Sequence, residues 1–166
     1  MTRIRIEPAG VAMADLLSAL QTASTADSGT QDAWGRDFIG RLLAMPGAFA
    51  LWAGFENDAR PCGYGLFRAA STECEVLSIG VLPTARRRGV GRALMTAAVS
   101  QAKLAGAKAI FLEVAVDNAS ARALYLALGF REVGRRPGYY QRRPASSEAA
   151  PIAPVDALVL RKDIGP

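Results

Sequence analysis

Punctuation between residues 75 and 133 restricts the fold of this chain more than any other feature. Glu75 to Leu82 reads as a strand closed by Pro83. An arginine-rich loop follows, and Gly89 and Gly91 open a segment with Leu94, Met95, Ala98, Val99 and Ala102 at helical spacing. Gly106 stops that helix near Ala105. Ala109 to Val116 is a second, strongly apolar strand. Asn118 then caps a helix reaching Leu128, Gly129 ends it, and Phe130 to Val133 is a further strand.

The rest of the chain supplies the frame. Arg3 to Ile6 alternates as a first strand ended by Pro8, and a helix spans Gly10 to about Thr22 through Leu16, Leu17 and Leu20. Residues 24–30 form a polar loop. Asp32 is the expected N-cap of a second helix bearing Phe38, Ile39, Leu42 and Leu43, stopped at Pro46-Gly47. Strands over 49–53 and 63–68 flank a turn at Asn57-Asp58. Residues 144–154 are Pro/Ala/Ser-rich and are expected to form a mobile loop, before a last strand over 156–161. The order β-α-α-β-β-β-α-β-α-β-β, without internal repeats, predicts an α/β (α+β) fold: a mixed sheet with helices on its faces, in a single domain over residues 1–166.

Composition removes several function classes. At 51% hydrophobic and 21% charged residues, the chain can bury a core. No apolar run reaches the roughly 18 residues of a membrane span, and the start lacks an apolar h-region, so a cytoplasmic protein is expected. Cys62 and Cys74 are the only cysteines. They are neighbours on adjacent strands or simply two small buried hydrophobes. The chain has no histidine, which excludes Ser-His-Asp and Cys-His catalysis and His-ligated metals. No metal is expected, and proton transfer falls to a carboxylate, Tyr, Lys, Cys, a terminus or water.

Charge is unevenly distributed. Residues 1–80 carry six Arg against nine Asp/Glu, whereas residues 81–166 carry fourteen Lys/Arg against six Asp/Glu. Four arginines crowd the loop Arg86-Arg87-Arg88-Gly89-Val90-Gly91-Arg92, between a strand and a helix N-terminus. Glycines let backbone N–H groups approach an anion, and the helix dipole favours it there. A solvated basic turn is the alternative. A P-loop is excluded because no Lys follows either glycine. The Rossmann fingerprint fits poorly, because Leu94 stands where the third glycine belongs. The low aromatic content, 7%, does not fit a base-stacking nucleic-acid surface.

Glu113 is the one charge in the strand 109–116. Alternation puts it on a face with Phe111 and Ala115. It is either a solvated edge carboxylate or a general base. Tyr125 shares a helix face with Ala121, Leu124 and Leu128, the spacing of a core aromatic.

Arg86-x-x-Gly89-x-Gly91 after a strand resembles the acetyl-CoA pyrophosphate loop of the Gcn5-related N-acetyltransferase (GNAT) superfamily. Leu112-Glu113-Val114, Asn118-Ala119-Ser120-Ala121, Leu124-Tyr125 and Gly129-Phe130 are similar to the signature of its N-terminal protein acetyltransferases, in particular the ribosomal-protein-alanine N-acetyltransferase branch. Arg135-Arg136, Tyr139-Tyr140 and Asp156-Ala157 continue the likeness, whose strong part, the cofactor-binding core, covers about 76–142.

The resemblance implies a mostly antiparallel mixed sheet splayed at its middle, helices on both faces, and acetyl-CoA as co-substrate. It implies that Ile79 and Val81 pair with the pantetheine arm, Val81 N–H polarising the thioester carbonyl. Arg86, Arg87, Arg88, Gly89, Val90, Gly91 and Arg92 would hold the pyrophosphate, with Asn118 also touching the cofactor. Glu113 would take the proton of the attacking amine, Tyr125 would protonate the departing thiolate, and Tyr139-Tyr140 would shape the acceptor pocket. Pro83 is expected to disturb strand pairing beside this site. The acceptor implied is a protein or peptide N-terminus, with a small amine or antibiotic, or a non-catalytic acyl-CoA-binding module, as the alternatives. The protein would be a monomer or homodimer. The stretch between Tyr140 and Asp156 is longer than the branch's pattern.

Overall fold

A computed structural model describes residues 3–26, 33–144 and 146–165. Seven strands form one sheet: β1 (Ile4–Ala9), β2 (Ala48–Phe55), β3 (Pro61–Ala70), β4 (Glu73–Val81), β5 (Ala109–Ala115), β6 (Arg131–Tyr140) and β7 (Val155–Asp163). Their spatial order is β1-β2-β3-β4-β5-β7-β6. Every pairing is antiparallel except β4 with β5. Helices α1 (Ala14–Thr25) and α2 (Arg36–Leu43) cover one face; Leu17, Leu20 and Ile39 pack there on Trp52, Tyr64 and Leu66. Helices α3 (Val90–Leu104) and α4 (Ala119–Ala127) cover the other, where Leu94, Met95, Ala98 and Tyr125 meet Phe67, Ile110, Leu112 and Leu158. Leu17, Ile39, Leu94 and Met95 are all fully buried. None of the helices is long and apolar enough to cross a membrane, among the described residues.

The sequence elements appear in the expected order, with instructive shifts. β1 runs through Pro8, which lies opposite Leu51. As an edge strand it spares Pro8's missing N–H, so proline does not end it. The first helix begins later than Gly10, after a 3-10 turn at Val11–Met13. The second is headed by Gly35, and Asp32 lies outside the described residues. The short strand expected at 130–133 extends to Tyr140 despite Pro137, again on a sheet edge. Cys62 and Cys74 are not neighbours. Cys74 lies opposite Ala69, while the Cys62 carbonyl accepts from Leu82 N–H at 2.9 Å at the other end of the hairpin. Both are buried thiols.

The sheet parts in its middle. β4 and β5 pair at only three positions, ending at Glu75 opposite Phe111. The cause is not Pro83, because β4 stays paired with β3 as far as Val81 and Leu82. Instead the register slips: Leu66 faces Ser78 but Phe67 faces Val76, leaving Leu77 as an extra residue. A bulge bends and twists its strand, and this one lies two residues beyond the last β4–β5 pair.

Candidate active site

The cleft begins with the backbone of β4. Leu82 N–H points to β3, where Cys62 accepts it. Alternation along a strand then turns the N–H groups of Val81 and Ile79 the other way, into the gap left by β5. The Val81 carbonyl on that side accepts from Arg86 Nε at 3.2 Å. Gly80 has no room for a side chain, because a Cβ would stand 2.3 Å from Ser24 Oγ, so α1 packs directly on this strand.

From β4 the chain enters the arginine loop. Arg87 (φ 62°) and Gly89 (φ 86°) both take the left-handed conformation. For arginine this is uncommon and strained, a feature that concentrates at functional sites. Alternating left-handed residues turn successive N–H groups inward to form an anion-binding concavity. Val90, Gly91 and Arg92 head α3, so their N–H groups have no carbonyl one turn back. A Cβ on Gly91 would come within 3.2 Å of Leu124, so glycine there lets the head of α3 approach α4.

The loop's arginine side chains differ in use. Arg86 ties α1 to β4 by donating Nη2 to the Ser24 carbonyl at 2.8 Å, besides its bond to Val81. The Arg88 guanidinium lies 3.9 Å over the Phe55 ring. Two of the loop's four arginine side chains are thus engaged by the protein itself, while its backbone N–H groups at Val90, Gly91 and Arg92 head the helix. Asn118 is the N-cap of α4, as predicted, its Oδ1 accepting from Ala121 N–H at 3.1 Å.

The opposite wall is made of side chains. Glu113, about 20% exposed, forms an ion pair with Arg136 of β6 at 2.5 Å. The Tyr139 phenol is raised from its ordinary value first by its hydrogen bond to the Glu113 carboxylate, then by burial. Burial chiefly, then the Glu113 charge, pushes Tyr140 up to about 12. A cavity of about 280 Å³ opens beside Glu113, lined by Arg68, Glu73, Glu75, Phe111, Arg136 and Val159 among others. Cys74 also lines it, but burial pushes its thiol up to about 11, which makes it an inert nucleophile.

Tyr125 comes from α4 and packs edge-on against Phe130 at 5.7 Å. It is buried, and its phenol is raised well above the ordinary value by burial first and then by the phenols of Tyr140 and Tyr64. Tyr64 meets Ser78 Oγ at 2.7 Å. These tyrosines reach from β3, α4 and β6, across the strands that part.

The cleft thus brings Ile79 and Val81 together with the loop 86–92 on one wall and Glu113 on the other. Sequence reasoning gave little weight to Arg136, whose ion pair holds Glu113, and none to Glu75 and Arg68. The Pro137-Gly138 pair inside a strand run was the one local signal that β6 bends here. Among the described residues no group of three or more Cys, Asp or Glu is placed to hold a metal.

Known proteins share both sequence and fold with this chain. The acetyltransferase (GNAT) family model matches residues 13–130. An uncharacterized protein of Mycobacterium leprae is 42% identical over 105 residues, 61% of this chain, which spans 26% of that protein's length. The N-alpha-acetyltransferase RimI of Mycobacterium tuberculosis is 33% identical over 138 residues, 81% of this chain and 78% of that enzyme. The crystal structure of the ribosomal-protein-S18-alanine N-acetyltransferase from Escherichia coli aligns with a TM-score of 0.81 at 20% identity, covering 99% of this chain and 96% of that one.

Proposed function

The chain belongs to the acetyltransferase (GNAT) family, and we propose that it transfers the acetyl group of acetyl-CoA directly to a primary amine, preferentially the N-terminal α-amine of a protein. One observation carries the reading. The parting of β4 from β5 leaves Ile79 and Val81 N–H facing a cleft that starts at a left-handed anion loop and ends at Glu113. Acetyl-CoA, an anion with an extended amide-bearing arm, has the chemistry for that edge.

The residues then take the following roles. Backbone N–H groups from Arg87 to Arg92 hold the pyrophosphate at the head of α3. Ile79 pairs with the pantetheine amides. Val81 N–H donates to the thioester oxygen as it gains charge while the C–N bond forms. Glu113 accepts a proton from the acceptor's ammonium, freeing the amine whose nitrogen lone pair forms the C–N bond. Tyr125 donates to the sulfur as the C–S bond breaks. Its phenol, raised by burial, holds its proton at neutral pH and so has it to give to the departing thiolate. Arg86 and Asn118 shape this site, the first by bracing Val81 and the second by starting α4.

The sheet joins all seven strands, which supports one catalytic domain over residues 1–166 with its cofactor-binding core at about 76–142. The M. tuberculosis relative is an N-alpha-acetyltransferase, which favours an α-amine, and the E. coli enzyme acts on a ribosomal-protein alanine, which makes an N-terminal alanine of a ribosomal protein the first acceptor to try. A cytoplasmic enzyme goes with such an acceptor. The test is free-CoA release from acetyl-CoA with peptides differing at residue one, free lysine, a polyamine and an aminoglycoside. Release with Ala- or Ser-headed peptides is expected. Release with small amines alone would overturn the acceptor, and binding of acetyl-CoA without release would overturn the enzyme.

A further inference from the structure

We infer that Asp156, on β7, is a positioning residue for the reaction: it holds the bend in β6 that brings Arg136 and Tyr139 together on Glu113. The inference rests on reading Glu113 as the general base.

The argument starts from the register of β6 on β7. Arg136 faces Ala157, and the next paired residue, Tyr140, faces Val155. Pro137, Gly138 and Tyr139 therefore stand opposite Asp156 alone. In a regular strand, residues three apart point to opposite faces. Arg136 and Tyr139 are three apart, yet both reach Glu113. The bulge makes that convergence possible.

A bulge of this size leaves ladder groups without strand partners, and the Asp156 carboxylate replaces them. Its Oδ1 accepts from Gly138 N–H at 2.8 Å, where the chain turns with φ +60°, and its Oδ2 accepts from Arg135 Nε at 2.9 Å. Pro137 has no N–H to satisfy. One side chain thus clasps β6 immediately before Arg136 and immediately before Tyr139. Within the bend the Arg136 guanidinium lies 5.6 Å from the Tyr139 ring centre, and Tyr139 meets Tyr140 edge-on at 5.1 Å.

The charged and titratable groups that face Glu113 define what the bend controls. They are Arg136, Tyr139 and Tyr140 from β6, Glu73 and Glu75 from β4, and Arg68 from β3. β7 contributes Val159 opposite Glu113 and, two residues on, Arg161, whose guanidinium lies 5.3 Å from the Phe111 ring centre and pairs with Asp163. Of these, Arg136 pairs with the carboxylate, and Asp156 binds Arg135 and Gly138, the residues immediately before Arg136 and Tyr139, without touching Glu113.

The experiment measures kcat and KM for an Ala-headed peptide, the KM for acetyl-CoA and Tm, for the wild type and D156A, D156N, D156E, R136A, D156A/R136A and E113Q. D156A is expected to lower kcat/KM for the peptide about tenfold, because Glu113 loses the aim that the bend gives its partner Arg136. Acetyl-CoA KM should stay the same, D156E should restore part of the rate, and D156A/R136A should lose less than the two single losses combined. D156N keeps an acceptor for Gly138 N–H, so it carries the test if D156A fails to fold. A lower Tm with unchanged peptide kcat/KM would reduce Asp156 to a turn residue and overturn the inference. Full additivity of D156A and R136A would overturn it too. E113Q separates the two readings. If E113Q keeps the wild-type rate, the base assignment falls and the inference with it; if E113Q is slow while D156N and D156A keep the wild-type peptide kcat/KM, the inference alone falls.

Discussion

The two walls of the cleft are built from different material. The β4 wall, with the loop 86–92, presents backbone N–H groups fixed by β3 on one side and by the head of α3 on the other. The β5 wall presents side chains, Glu113 held by Arg136 and Tyr139 that arrive from β6 through a bulge clasped by β7. Backbone recognition suits a partner that never changes, because it needs only the strand, the left-handed turns and the glycines. Side-chain recognition suits a partner that varies, because each residue can be exchanged without rebuilding the sheet. On the proposed reading the first wall would hold the acetyl donor and the second would meet the acceptor.

Tyr125 stands at the junction, on α4, and its substitution is expected to have a larger effect than a change on either wall. Tyr125→Phe removes one hydroxyl from a buried ring packed on Phe130 and leaves the packing in place. It should lower kcat by about ten- to a hundredfold through loss of the donor to sulfur, with KM for acetyl-CoA and for peptide nearly unchanged. Steady-state kinetics with both substrates varied decide it. A raised acetyl-CoA KM with normal kcat would assign Tyr125 to the donor wall instead. The phenol also couples folding to alkaline pH. Its folded value lies above the ordinary one of about 10, so its contribution is full below that value and fades as pH rises beyond it. Tyr125→Phe should therefore blunt the loss of Tm between neutral and alkaline pH.

The backbone wall can be broken alone. Gly89→Val puts a β-branched residue at φ 86°, a conformation that costs an L-residue about 1–2 kcal/mol. The space itself is open, since a Cβ would meet only Ile4 Cδ1 at 3.6 Å. The strain relaxes by reshaping the loop, so acetyl-CoA KM should rise roughly tenfold through lost anion contacts, while peptide KM holds. Calorimetric titration with CoA gives the same comparison without turnover. If CoA binds Gly89→Val as tightly as the wild type, the left-handed loop is not the pyrophosphate cradle.

The same contrast explains what could be read from the sequence. The donor wall is contiguous: strand, Pro83, Arg86 to Gly91, helix, and each part carries its own local signal. The order of all the strands and helices, the Asn118 cap and the Gly106 and Gly129 stops follow from similar punctuation. The acceptor wall is assembled from residues far apart in sequence, 68, 75, 113 and 136, and nothing in the strand pattern says which meet. Two bulges do most of the arranging. The one at Leu77 parts β4 from β5 and has no sequence mark of its own, so Pro83 took the blame for it. The one at Pro137-Gly138 is marked, but its consequence for Arg136 and Tyr139 depends on Asp156, eighteen residues beyond Gly138. Pro8 and Pro137 mislead for one common reason: proline breaks a central strand but is tolerated on an edge, and edge position belongs to the sheet rather than to the local sequence.

The smallest effect tests the acceptor wall by its charge. Once Arg136 is paired with Glu113, the cavity keeps Glu73 and Glu75 against Arg68. Neither Glu73 nor Glu75 forms an ion pair among the described residues, and Arg68 lies directly across the strand pair from Glu75. Both carboxylates are exposed, so each acts through screened attraction on the residues that follow the acetylated amine. An Ala-headed peptide with Lys or Arg at its second or third position should show a KM about two- to fivefold below that of its Asp or Glu counterpart at low salt, as the worth of exposed charge pairs implies. The gap should close by about 0.5 M salt, where screening reaches within the cavity's own dimensions. Glu75→Gln should narrow it at low salt and leave the acetyl-CoA KM alone. A preference that survives high salt, or that moves the acetyl-CoA KM, would mean the two walls are not separate devices and that donor and acceptor share the charge of one site.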